Sequence, residues 1–77
     1  MPCIDDCNSA PIGMSWNGNF ISNALNSPNM YGGYILTIKE SNNQWGMQIA
    51  FPRDTVNKCL YARHLANGSW TEWWSMS

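Results

Sequence analysis

The sequence predicts a small, mainly β domain: an antiparallel meander of three or four strands preceded by a loop-rich amino-terminal segment. Three observations point there. Apolar and polar residues alternate with a period of two in "YILTIKE" and "QWGMQIAF". An Asn67-Gly68 pair separates two β-prone runs near the carboxyl end. No stretch carries the periodicity of a helix long enough to stand alone. An α+β variant with one short helical turn near "ISNAL" is the alternative these residues leave open.

Taken in order, residues 1–30 hold Pro2, Pro11, Pro28 and seven Asn or Asp positions before Ser27, a density that breaks regular patterns and reads as loop. Within them "IGMSWNGNFI" gives one short strand, or two around Asn17-Gly18. In the next run Tyr34, Leu36 and Ile38 share one strand face and Ile35, Thr37 and Lys39 the other, and "SNN" then turns the chain. The following run alternates more cleanly: Trp45, Met47, Ile49 and Phe51 are expected inward, and Gln44, Gly46, Gln48 and Ala50 outward. Pro52 ends it, "RDTVN" turns, and "KCLYARHL" forms a further strand. Asn67-Gly68 readily takes the positive backbone angles of a two-residue hairpin turn, and a last strand starts at Ser69. Residues 1–77 thus form one domain, in which 1–30 cover one face of a sheet built by 31–77.

Composition narrows the function. With 77 residues, 44% of them hydrophobic and 12% charged, the chain suits one small folded core rather than disorder. Net charge is −1, and Lys39, Arg53, Lys58 and Arg63 stand singly, so there is no basic stripe for a nucleic-acid backbone. No apolar run approaches the ~20 residues that cross a bilayer, so no membrane insertion is expected. The amino terminus carries acids where a secretory signal carries positive charge, so no export address is expected there. Three cysteines leave at least one unpaired, which fits synthesis in a reducing cytoplasm.

The order of "IDDCNSAPIGMSW", "GGYILTIKE", the Gln of "MQIAF" and the ending "YARHLANGSWTEWW" resembles the pyocin-knob domain, a module of bacteriophage tail fibres and phage-derived bacteriocins. Tyr61, Arg63, Asn67, Gly68, Trp70 and Trp73 carry the likeness, together with Gln48 and the segment of Asp6, Asn8, Pro11 and Gly13. The resemblance implies a tail-fibre component of a virion, made in the bacterial cytoplasm and acting outside it, with three copies about a fibre axis. Two roles follow: recognition of a bacterial surface polysaccharide, or a purely structural spacer that holds copies together.

The clustered tryptophans carry either role. On a regular strand Trp70 and Trp74 share one face and Trp73 the other, unless a bulge brings Trp70 and Trp73 together. Trp70 and Trp73 are expected to pack, and Trp74 to be the exposed ring. An exposed indole beside amides suits a sugar, whose C–H groups pack on the ring while its hydroxyls meet polar groups. Trp74, Trp16, Tyr31, Gln48 and Asn67 are therefore the glycan-binding candidates. Arg63 can lie over an indole, pair with Glu72 or reach a ligand carboxylate; counting back from the turn sets it opposite Glu72, so the ion pair is expected, within a structural set of Tyr61, Arg63, Glu72, Trp70 and Trp73.

Metal and catalysis have weaker grounds. Cys3, Cys7, Cys59 and His64 offer three sulfurs and one nitrogen for zinc, but alternation turns Cys59 and His64 to opposite faces, so no metal or other cofactor is expected. The single histidine has no spacing that links it to a nucleophile, and adjacent Asp5 and Asp6 suit a turn, so no enzyme is expected. Asn67-Gly68-Ser69 also matches a glycosylation acceptor, for which the turn is sufficient explanation.

Overall fold

The computed structural model describes residues 1–17, 24–28, 30, 32–53 and 59–76. The β class holds, with more strands than the alternation alone suggests: β1 (Cys3–Ile4), β2 (Gly13–Asn17), β3 (Gly33–Lys39), β4 (Gly46–Pro52), β5 (Leu60–Ala66), β6 (Ser69–Trp70) and β7 (Trp74–Met76). A single 3-10 turn, Cys7–Ser9, follows β1. Residues 21–23 of "ISNAL" and most of "RDTVN" lie outside the described residues, as does Tyr31, while Leu25 makes a parallel bridge to Asp6.

One sheet runs in the order β1-β2-β3-β4-β5-β6, with β7 also on β5. Strands β3 to β6 are the expected antiparallel meander, and β2 carries the sheet back into residues 1–30, which are therefore not cover alone; Leu36 stands opposite Met14 and Ile49, and Gln48 opposite Thr37 and Arg63. Strand β1 joins β2 in parallel and makes the sheet mixed. Two residues are too few to show alternation, so nothing local announces this strand. Between β5 and β6, Asn67 (φ 54°) and Gly68 (φ 85°) both take left-handed angles, as the hairpin reading requires.

The faces are reversed from the expectation. Gln48 and Ala50 are fully buried, whereas Met47, Ile49 and Phe51 are only half-buried and Trp45 is 49% exposed. The same holds on β3, where Ile35 and Thr37 are buried while Tyr34 and Ile38 are exposed. What lies over the closed face explains it. Ile4, Cys7, Ala10, Ala24 and Met30 from the first 30 residues cluster on Ile35 and Ala50, with Tyr61 and Trp73 packed against them.

Such a cover has little regular structure, so its backbone N–H and C=O groups need partners beneath them. Polar side chains of the sheet supply these. Gln48 Nε2 donates to the Cys7 carbonyl (2.6 Å) and Asn17 Oδ1 accepts from the Ala24 amide (3.0 Å), while Arg63 Nη2 donates to a side chain of the cover, Asn8 Oδ1 (2.8 Å). Small Ala50 and Thr37 let the cover come close. The larger apolar set of the opposite face, from Met14 on β2 through Ile38, Met47 and His64 to Trp74 and Met76, has no described segment over it.

Candidate functional site

The indole cluster follows from the register along β5. Leu65 pairs with Trp70 and Ala62 with Trp74, so the returning chain spends three residues, Thr71 to Trp73, against the two residues Arg63 and His64. One residue is extra, which is a bulge. Thr71 closes it from both sides: its amide donates to the His64 carbonyl (2.8 Å), and its Oγ1 accepts from the His64 amide (2.9 Å). The shift puts Trp70 and Trp73 on the closed side and Trp74 on the other, which is the bulged alternative of the sequence reading.

Arg63 is the centre of the closed side. It is only 4% exposed, and its Cζ lies 4.4 Å from the centroid of the Trp70 ring and 4.7 Å from that of Trp73. Its Nε donates to Gln48 Oε1 (2.8 Å), while its Nη2 takes Asn8. Burial draws its pKa below the ordinary guanidinium value, with nearby Asp6 among the charges that oppose the shift. The expected ion pair with Glu72 does not form: β6 ends at Trp70, the bulge carries Glu72 out to an exposed position, and Arg63 turns to the two amides instead.

A second polar ring of contacts joins this arginine to the cover. Asp6 caps the 3-10 turn, its Oδ1 accepting from the Asn8 amide (2.9 Å) and from Asn26 Nδ2 (2.9 Å). The Asn26 carbonyl in turn accepts from Trp73 Nε1 (2.7 Å). These two contacts, the one to the Asn26 side chain first, hold the Asp6 carboxyl below its ordinary pKa. Beside them opens a basin of about 660 Å³, whose lining includes Asn8, Asn26, Ser27, Arg63, Trp70, Thr71, Glu72 and Trp73. Amides, hydroxyls, a carboxylate and two indoles thus face one concavity.

The structural set therefore comes together, with Tyr61, Arg63, Trp70 and Trp73 in one body and Glu72 at its rim. The glycan candidates do not. Gln48 is 0% exposed and spends its side chain on Cys7, Thr37 and Arg63, which corrects its reading as a ligand group. Trp16 (half-buried) and Trp74 (46% exposed) lie on the open face, where Trp74 stacks on His64 at 6.1 Å, and Asn67 is exposed at the hairpin tip. Asn26, Ser27 and Thr71 were missed. Only the left-handed angle of Asn26 (φ 58°) ties it to a local signal, the tolerance of asparagine for that region.

The four zinc candidates are likewise apart. Cys3 is exposed on β1, Cys7 is buried under the cover, and His64 is on the open face. Burial pushes the Cys7 thiol up to about 11, which keeps it protonated and unreactive near neutral pH. Among the described residues no three His, Cys, Asp or Glu side chains converge. No described helix is long and apolar enough to cross a membrane. No family model, no curated protein and no solved structure matches this chain.

Proposed function

We propose that this chain is a non-catalytic recognition module that takes a bacterial surface polysaccharide in the basin beside Trp70 and Trp73. The observation that carries the reading is a pair of indoles held at the rim of a polar, open concavity, one by Arg63 alone and the other by Arg63 and the Asn26 carbonyl. Rings fixed in this way lose little freedom on binding, and the surrounding amides and hydroxyls pair with sugar hydroxyls. The likeness of "YARHLANGSWTEWW" and its upstream partners to the pyocin knob supports the setting: a virion tail fibre in which three copies act together, so that weak single sites add up.

Glu72 is the residue to test, because it lines the basin, is exposed, and has no part in the packing around Arg63. Titration of the chain with oligosaccharides from bacterial surface polysaccharide, followed by amide shifts, is expected to move Asn26, Thr71 and Trp73. Glu72→Ala is expected to weaken that binding by about 10- to 100-fold, the loss of one hydrogen bond to a charged group, with the thermal midpoint unchanged. Shifts confined to Trp16 and Trp74 on the open face would move the site away from the basin. No shift with any surface glycan would leave the spacer role in its place.

A further inference from the structure

We infer that the open face of the sheet is the surface on which a second copy of this chain packs. The inference is separate from the three-copy setting, because two identical faces packed on each other close at two chains, and it does not depend on the glycan site, which lies on the other side of β5.

Six large apolar side chains stand out on this side of the fold: Met14, Tyr34, Ile38, Trp45, Trp74 and Met76, each between 36% and 49% exposed. At roughly 200 Å² for a side chain of this size, they show about 500 Å² of apolar surface before their half-buried neighbours are counted. That is more than half of the ~800 Å² each partner gives to a standard protein interface, and at the upper end of what a monomer usually leaves bare. The half-buried Leu36, Ile49 and Phe51 lie between them and fill out the rest.

Charge selects the occupant. The strand residues of this face include no Asp, Glu, Lys or Arg; Lys39 and Glu40 enter only through a groove of about 650 Å³, which they line together with Ile38, Trp45 and Met47. A membrane-surface site needs several basic residues for the headgroups, of which this face has Lys39 alone, and a sugar site needs converging polar groups, which this face gathers only within the groove and not across the sheet. A charged partner would have its own charges desolvated without compensation. An identical uncharged sheet meets none of these costs: two such faces pack about 10 Å apart, as in a β-sandwich, and the groove receives a protruding ring from the facing copy. The open face then gains the cover that the amino-terminal segment gives the closed one.

Sedimentation equilibrium of the full chain at about 100 µM tests it, a concentration that populates complexes with Kd in the micromolar range. The expected mass is that of two chains. Ile38→Glu is expected to weaken association at least ~100-fold, since each facing copy then buries an unpaired carboxylate. Ile38 is half exposed in the single chain, so the fold is expected to survive, as near-ultraviolet circular dichroism of the Arg63 indoles would register. Met14→Glu repeats the test at the other side of the sheet should Ile38→Glu unfold. A single-chain mass at this concentration overturns the inference and leaves the basin's glycan binding to its own titration. An assembly whose mass neither substitution changes overturns it too, by placing the contact elsewhere.

Discussion

Arg63→Ala is expected to cost about 4 kcal/mol, from about a third to all of the stability of a domain of this size, for which ~4 to 11 kcal/mol is typical. Three losses add up. Gln48 Oε1 is left without its donor inside a residue that is 0% exposed, so water cannot replace the bond. Asn8 is exposed and can turn to solvent, but the turn it belongs to loses its tie to β5. The Trp70 and Trp73 rings, 4.4 and 4.7 Å from the guanidinium carbon, lose the group that they pack on. Arg63→Lys keeps the charge without the planar fork, and about half of the loss is expected to remain. Urea unfolding followed by tryptophan fluorescence reads both. A cost under about 1 kcal/mol for the alanine variant would mean that the guanidinium is an exposed group and not the centre of the closed face.

Gly33→Ala is expected to be at least as damaging, for a reason that involves no side-chain bond. Gly33 opens β3 between β2 and β4 with φ 151°, outside the range a side chain tolerates, and a Cβ there would run into the Phe51 carbonyl oxygen and approach the Arg53 amide at 3.1 Å. Both belong to the neighbouring strand and its exit, so relief means parting β3 from β4. Gly13 is the natural control: its φ of 108° is equally foreign to alanine, but a Cβ there meets nothing within 4 Å. Gly13→Ala is therefore expected to lose about 1 to 2 kcal/mol from backbone strain alone, and Gly33→Ala upward of ~3 kcal/mol in thermal or urea unfolding. Equal losses would show that the close approach of β4 at Gly33 is not a feature of the folded chain.

These two residues also mark the limit of what the sequence discloses. Strands β3 and β4 follow from period two, the β5 to β6 hairpin from Asn67-Gly68, and the common side of Trp70 and Trp73 from the bulge that the spacing permits. Period two sorts side chains into two faces but does not say which one is covered. Hydrophobicity chooses the Met47, Ile49, Phe51 face, and the fold chooses the other. The cover is an irregular segment whose peptide groups are met by Gln48 and Asn17 and whose Asn8 side chain is met by Arg63, a demand no local pattern announces. The basin is hidden for a related reason: Asn8 and Asn26 reach it only through the Asp6 contacts that fold the cover on itself.

The reversal of the faces is the central claim, and the chain's two glutamines test it directly. Gln44 is exposed in the β3 to β4 turn, and Gln48, four residues on, is fully buried with Nε2 bonded to the Cys7 carbonyl and to Thr37 Oγ1 (3.1 Å). Hydrogen exchange of the two side-chain amides by NMR gives each an internal reference in the other. The Gln48 amide is expected to exchange at least ~1,000-fold more slowly than that of Gln44, as a group released only by opening of the domain. Matching rates would contradict the account, because they would put Gln48 in water and the apolar face inside.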